Sequence, residues 1–478
     1  MVGAMFIPGC ATNKMAGPTV EPAEFSANAA PGRDNPGRFG QVATLGSQMI
    51  APKRSAGIAG ETVSGAGVSG SNGAGYAGLI PNFTAGPGHD NLRSAIQSAL
   101  AYSATVRKAV SNLHMARLDI SIARSGYFPK VRSSAGSNSD SSMTYRLSVT
   151  QPIYDWGQTG AAVDKAKANL VAATAQLDTQ REITALVAAQ AYIEVKRNEA
   201  LFEAAQDNFA EYKKITELAS DRYGGGVGDS ADVQFAKVRQ GEARSSLEDA
   251  ASNLRNARAV YDSRMGHKPG KLAQAPDLVT RLDMVGDFKR AVAKAPAVRY
   301  ALAKQKAFMY DTEMQEASLL PTLGANATIK GNDDNSFLKS YGLTLQAPVF
   351  SGFSNFEKAK SARLAANSAG WEAEEERRKA VRQVNEFIET APLLRSRVTI
   401  LDKESNKAHH LQGLYHDQFL VGHRSLTDLL NMQLDIFRIA KARIAAHFNM
   451  LKTQYNALSA IGRLLSGLGI KIEGGGDE

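Results

Sequence analysis

Two hydrophobic periods take turns along this chain of 478 residues. Tyr341, Leu343, Leu345 and Ala347 alternate with Gly342, Thr344 and Gln346, the period-two pattern of a strand with one apolar and one polar face. Tyr145, Leu147 and Val149 against Arg146, Ser148 and Thr150 repeat it, and so do Leu323, Ala325, Ala327 and Ile329 against Gly324, Asn326, Thr328 and Lys330. Residues 131–137 carry a weaker, Ser-rich version. The pattern predicts two strand pairs closed by short polar loops at 138–144 and 331–340. Elsewhere the spacing lengthens to sevens. Residues 157–220 hold no proline and place Leu170 with Leu177, Leu186 with Ile193 and Phe202 with Phe209. Later, Phe387, Leu394 and Leu401 continue the sevens, and Leu430, Phe437, Ile444, Leu451 and Leu458 form an unbroken series. These are coiled-coil-like seams on long helices. About 60 residues at 1.5 Å each make a rod of roughly 90 to 100 Å. Pro392 is expected to kink or break the second rod. Two shorter helical stretches, 91–124 and 287–317, precede the strand pairs.

The order recurs because the chain is internally duplicated, with a period of about 196 residues. RYGGGVGDSADVQ, from Arg222, answers QFLVGHRSLTDLL, from Gln418, so that Tyr223 aligns with Phe419, Gly226 with Gly422, Asp232 with Asp428 and Gly266 with Gly462. YRLSVTQPIYDWG, from Tyr145, answers YGLTLQAPVFSGF, from Tyr341, at the same offset. The division expected is 1–88 as an N-terminal segment, 89–284 and 285–465 as the two repeats, and 466–478 as a flexible tail.

No run of eighteen apolar residues occurs, which leaves a β-barrel as the only membrane-spanning form open to the chain. Tyr127, Phe128, Tyr154 and Trp156 flank the first strand pair, and Phe350 and Phe353 the second, as an interfacial girdle would require. The strands alone suit a sandwich core equally; the rods that follow them favour a short barrel continued by a long helical tube. Four strands cannot close a barrel, so several chains must pool theirs. The net charge of +9 is interspersed with acids, as in Glu374, Glu375, Glu376, Arg377, Arg378 and Lys379, and forms no nucleic-acid footprint. No nucleophile, acid–base or metal motif stands out, so neither enzyme activity nor a cofactor is expected.

Residues 1–88 hold 17 of the 42 glycines among Ala, Ser and Pro, and read as a flexible tether. Their two GxGxxG strings lack the periodic flanks of a phosphate loop. The opening MVGAMFIPGC resembles the end of a bacterial lipoprotein signal, which implies lipidation of Cys10 and a start further upstream; the plain alternative is an idle thiol. A lone cysteine forms no intramolecular disulfide.

Over residues 90–465 the chain resembles the TolC-like outer-membrane factors of Gram-negative bacteria, on QPIYDWG with APVFSGF and on the tips YGGGVGDSADV and FLVGHRSLTDLL. The resemblance implies a mostly α fold with a small β part: a homotrimer with a twelve-stranded barrel in outer-membrane lipid and a tapered α-barrel crossing the periplasm. It implies an exit duct for type I secretion or multidrug efflux, docked on a periplasmic adaptor and an inner-membrane ABC or RND pump. A soluble or periplasmic coiled-coil adaptor or scaffold is the rival reading, and it leaves the strand pairs unexplained.

The same resemblance assigns the periplasmic gate. Asp428 matches the first of two constriction aspartates, and Asn431 stands at the second. A three-fold ring of Asp428 would favour cations and raise its own pKa by repulsion. Arg424 matches an arginine that ties closed tips together, Asp232 its acidic partner, and Phe419 occupies a tyrosine position. Gly226, Val227, Gly228, Val421 and Gly422 form the tips that dock the adaptor. The spacing of Ser425 to Asp428, and of Asp229 or Ser230 before Asp232, also fits helix N-capping, which is compatible with gating. His409, His416 and His423 repeat by sevens, but no carboxylate or cysteine motif accompanies them and no metal is expected.

Overall fold

The computed structural model describes residues 91–137, 143–278, 288–332, 336–347 and 353–470. The N-terminal segment with Cys10 and the glycine strings lies outside them, as do Pro348 and Phe350. The first repeat runs α1 (Leu92–Tyr102), α2 (Ala104–Arg124), β1 (Lys130–Ser137), β2 (Met143–Tyr154), α3 (Gln158–Gly224) and α4 (Ser230–Met265). The second runs α5 (Phe288–Ala293), α6 (Pro296–Ala317), β3 (Thr322–Asn332), β4 (Phe337–Gln346), α7 (Ser354–Leu420), α8 (Leu426–Ala460) and the short α9 (Leu464–Gly467). The strands extend further into the 138–144 and 331–340 loops than the alternation suggested.

All four strands form one antiparallel sheet in the order β1-β2-β3-β4. Its central pairing joins the repeats, with Leu147 opposite Ile329 and Val149 opposite Ala327. Because side chains alternate, Val131, Tyr145, Leu147, Ile329, Tyr341, Leu343 and Leu345 share one face and are exposed on it. Among the described residues, neither outer edge, β1 nor β4, has a second strand partner within the chain. No helix among the described residues is long and apolar enough to cross a membrane.

The helices α3 and α7 are each 67 residues long, about 100 Å. Each is flanked by two shorter antiparallel pieces: α4 (36 residues) and α2 (21) beside α3, and α8 (35) and α6 (22) beside α7. Where the pieces abut, the backbone must turn sharply. Gly266 (φ +79) and Gly462 (φ +67) end α4 and α8 at equivalent repeat positions, and a Cβ there would stand 2.8 Å from the Tyr102 ring and 2.2 Å from the Pro296 ring. Only glycine combines that left-handed turn with so close an approach.

The main core gathers where these junctions meet the long helices, around the fully buried Tyr192, Tyr261 and Tyr455. Tyr192 and Tyr455 donate to the carbonyls of Ala273 (2.7 Å) and Pro276 (3.0 Å), and the amide of Leu278 donates to Gln454 Oε1, strapping the segment after α4 onto the bundle. Leu430, Phe437, Ile444, Leu451 and Leu458 are all buried, as their spacing by sevens requires.

Three expectations need correction. Pro392 does not break α7, which runs through it; the proline is on the exposed face, where water can satisfy the carbonyl it leaves unpaired. The first helical stretch is two helices, because Ser103 leaves helical geometry (ψ 117) and caps α2 through the Val106 amide. The C-terminal tail does not begin at 466: Leu465 and Ile470 are buried in the main core.

Candidate functional site

The two hairpin tips are copies of one hydrogen-bonded turn. The carbonyl of Arg222 accepts from Val227 N at 2.9 Å, and that of Gln418, its repeat equivalent, from His423 N at 2.8 Å. Gly226 (φ +76) and Gly422 (φ +78) take the left-handed position inside each turn. These bonds satisfy the last carbonyls of α3 and α7. They also push Val227 and Val421 into solvent, 72% and 69% exposed.

Each tip then caps the returning helix. Asp229 accepts from Ala231 N at the start of α4, so the first cap is Asp229 rather than Ser230. Ser425 and Asp428 form a full capping box at the start of α8. Behind the tips, Tyr212, Ile215, Ala219, Val233, Phe419, Leu426 and Leu430 build a separate apolar cluster that holds the hairpins together.

Phe419 belongs to that cluster rather than to an open surface, at 4% exposure. Its carbonyl accepts from Arg222 Nη1 at 2.7 Å, and the guanidinium lies over its ring with 4.6 Å to the centroid. Arg222 is the residue at this site that sequence reasoning missed. Its only signal was its position four residues before the first-tip glycine, matching Gln418 in the second repeat.

Arg424 is held within its own hairpin. Its Nε donates to Gln418 Oε1 at 3.0 Å, its carbon lies 4.2 Å from the Tyr415 ring centroid, and Nη1 stands 3.8 Å from Asp428. Among the described residues no ion pair joins it to Asp232, which sits in the first turn of α4. The expected tip-to-tip link is therefore not made within one chain, where the Arg424 guanidinium is engaged by Gln418, Tyr415 and Asp428.

Asp428 and Asn431 line one hollow of about 450 Å³ between α7 and α8, together with Glu404 and Asp435. Asp435, two turns beyond Asp428 on the same helix face, pairs with Arg438 at 3.0 Å. The Asp428 carboxyl is held below the usual aspartate range, first by hydrogen bonds from the Ser425 side chain and amide and then by Arg424. Within a protomer the direction is downward because the capping box donates to the charged form; repulsion within a three-fold ring would act in the opposite direction.

At the opposite end of the long helices, Trp156 Nε1 donates to the Pro321 carbonyl at 2.7 Å, tying the end of β2 to the start of β3. Tyr127, Phe128, Tyr154, Trp156 and Phe353 are all exposed there, aromatic side chains at the base of an exposed apolar face.

A sheet open at both edges, long paired helices and matched tips together define a channel subunit. The family described as outer membrane efflux protein matches residues 95–266 and 288–463, one stretch for each repeat, and the chain belongs to that family. It is 22% identical over 402 residues to the outer membrane efflux protein BepC of Brucella suis biovar 1 (strain 1330), covering 80% of this chain and 88% of BepC. The fold is that of the outer membrane protein VceC of Vibrio cholerae (TM-score 0.69, 16% identity, 78% of this chain and 96% of that one). It is also that of the outer membrane channel CmeC of Campylobacter jejuni (TM-score 0.69, 13% identity, 78% and 86%). The protein is an outer-membrane exit duct that reaches into the periplasm.

Proposed function

We propose that three copies of this chain pool their sheets into a twelve-stranded barrel and their helices into one tube, which passes substrate from a periplasmic adaptor and an inner-membrane ABC or RND pump to the exterior. The observation that carries this reading is the four-stranded sheet itself. It has two free edges and an exposed apolar face, an arrangement that lipid tolerates only when copies close the ring.

In this reading Asp428 and Asn431 line the periplasmic constriction, with Asp435 one step inward. Arg424, Asp232, Phe419 and Arg222 restrain the tips, and the inner hairpin of α7 and α8 swings outward to open them. Arg424 and Asp232 would then meet across protomers. The exposed Val227 and Val421, with Gly226, Gly228 and Gly422, offer the adaptor a small apolar knuckle at each tip. The repeats divide at about residue 285, and residues 1–88 form a tether with Cys10 as a candidate lipid anchor.

Electron microscopy of the protein extracted from outer membranes in detergent tests the assembly. A three-fold hollow particle with a narrow barrel and a long body supports it; a protein soluble without detergent, seen as solid rods, overturns it in favour of a scaffold.

A further inference from the structure

The polar face of the sheet is not merely hydrophilic: it is basic. The four strands contain no Asp or Glu, while Lys130, Arg132, Arg146 and Lys330 all fall on the face opposite Tyr145, Leu147 and Ile329. The register places Arg146 directly opposite Lys330 on the neighbouring strand. Like charges so placed destabilise a sheet, and no acid in the strands offsets them. The acids nearest in sequence, Asp140, Asp333 and Asp334, stand in the segments joining the strands. No ion pair among the described residues engages any of these four cations.

Arg146 and Lys330 also line a hollow of about 660 Å³, together with Ser134 and Thr144. Ser134 is opposite Arg146 in the register, and Arg132, opposite Ser148, lies in the next row of the same face. Two cations with no ion-pair partner among the described residues, beside the Ser134 hydroxyl, supply charge and several donors to an oxyanion such as phosphate, sulfonate or carboxylate, while the Thr144 hydroxyl already donates to the Gly136 carbonyl at 3.1 Å.

We propose that Arg132, Arg146 and Lys330 form an anion-binding ring in the lumen of the barrel, near its outer end, which favours the exit of substrates bearing phosphate, sulfonate or carboxylate groups. The proposal rests on the trimeric-duct reading, since apolar residues must face lipid for this face to line the lumen. Threefold repetition places these cations around one aqueous path, where their fields add.

The test is current through the purified channel in a planar bilayer, with sodium tripolyphosphate added to one side and then to the other. Block from one side at low concentration, weakened by salt, is expected. Arg146→Gln with Lys330→Gln should raise the blocking concentration by about ten-fold or more. Lys339→Gln removes one positive charge from the lipid-facing side, because Lys339 is opposite Ile329, and should leave the block unchanged. Pores that tripolyphosphate does not block from either side overturn the proposal without any variant. Equal block of parent and double variant, or equal loss of block in Lys339→Gln, overturns it too. If no pores form at all, the duct reading fails and the proposal with it.

Discussion

Arg222 and Phe419, 197 residues apart, are joined twice at the hairpin tips: by a hydrogen bond of 2.7 Å to the Phe419 carbonyl and by the guanidinium lying over the Phe419 ring. One bond is main-chain directed, so it ties the end of α3 to the end of α7 whatever side chain stands at 419. If opening separates the two hairpins of a protomer, this contact must break. Arg222→Met removes both interactions, worth about 1 to 3 kcal/mol together. The expected result is a larger single-channel conductance or open fraction in a bilayer. A variant as closed as the parent would show that Arg222 does not restrain the tips.

The capping box sets the charge state of the constriction. With its folded pKa below the unfolded value of 3.8, Asp428 stays ionised as pH falls from 7 to 5. The stability it adds is present above pH 3.8 and lost as pH drops through the lower folded value. Block by multivalent cations should therefore persist to pH 5, and Asp428→Ala should weaken it or raise conductance. Ser425→Ala should fray the first turn of α8 by about 1 kcal/mol and move the loss of block to higher pH. Cation block that is the same with alanine at 428 would remove Asp428 from the gate.

Charge reversal at Arg424 acts on the same turn. Arg424→Glu loses the bond to Gln418 and brings a second negative charge beside Asp428. Leakier pores are expected, read as vancomycin sensitivity of cells carrying the variant. Unaltered sensitivity would argue that Arg424 serves only its own hairpin.

Glu182 predicts a pH-dependent stability far from the tips. Burial pushes its carboxyl up to about 7, although the amides of Leu464 and Leu465 donate to it at 3.1 and 3.4 Å. The folded state therefore holds a proton that the unfolded state, with a value of 4.5, releases first. Its contribution falls as pH rises from about 4.5 to 7, by roughly 3 kcal/mol in all. Glu182→Gln should flatten the difference in thermal unfolding between pH 5 and pH 8. An unchanged slope would assign the dependence to other groups.

Gln433 is buried between two long helices, donating to Asn208 Oδ1 at 2.9 Å and accepting from Gln412 at 2.8 Å. Gln433→Leu strands the buried Asn208 amide, at a cost of about 1 to 3 kcal/mol. Adding Asn208→Ala should recover part of that loss, measured by thermal unfolding in detergent. If the second substitution only deepens the loss, the pair is not coupled.

Much of this protein is legible along the chain. The sevens from Leu430 to Leu458 name residues that are all buried, and the alternation in 341–347 names the exposed apolar face of β4. Ser425 with Asp428 announces its own cap, because both partners lie within one helical turn. The offset between YGGGVG and FLVGHR foretells two tips with the same hydrogen bonds, since identical local geometry needs only local residues.

What the chain could not reveal is which distant groups meet. The pairing of β2 with β3, of Arg222 with Phe419, and of Glu182 with the amides of Leu464 and Leu465 all depend on how segments far apart in the chain, including helices about 100 Å long, are laid side by side. Periodicity reports which face of an element is buried, not against what. By itself the sequence determined the elements, their duplication and their apolar faces, because those follow from spacings of two, seven and about 196 residues. The tertiary structure alone decided the cross-repeat contacts, the continuity of α7 through Pro392 and the basic face shared by Arg146 and Lys330. Each of these arises from the register and packing of segments that only folding brings side by side.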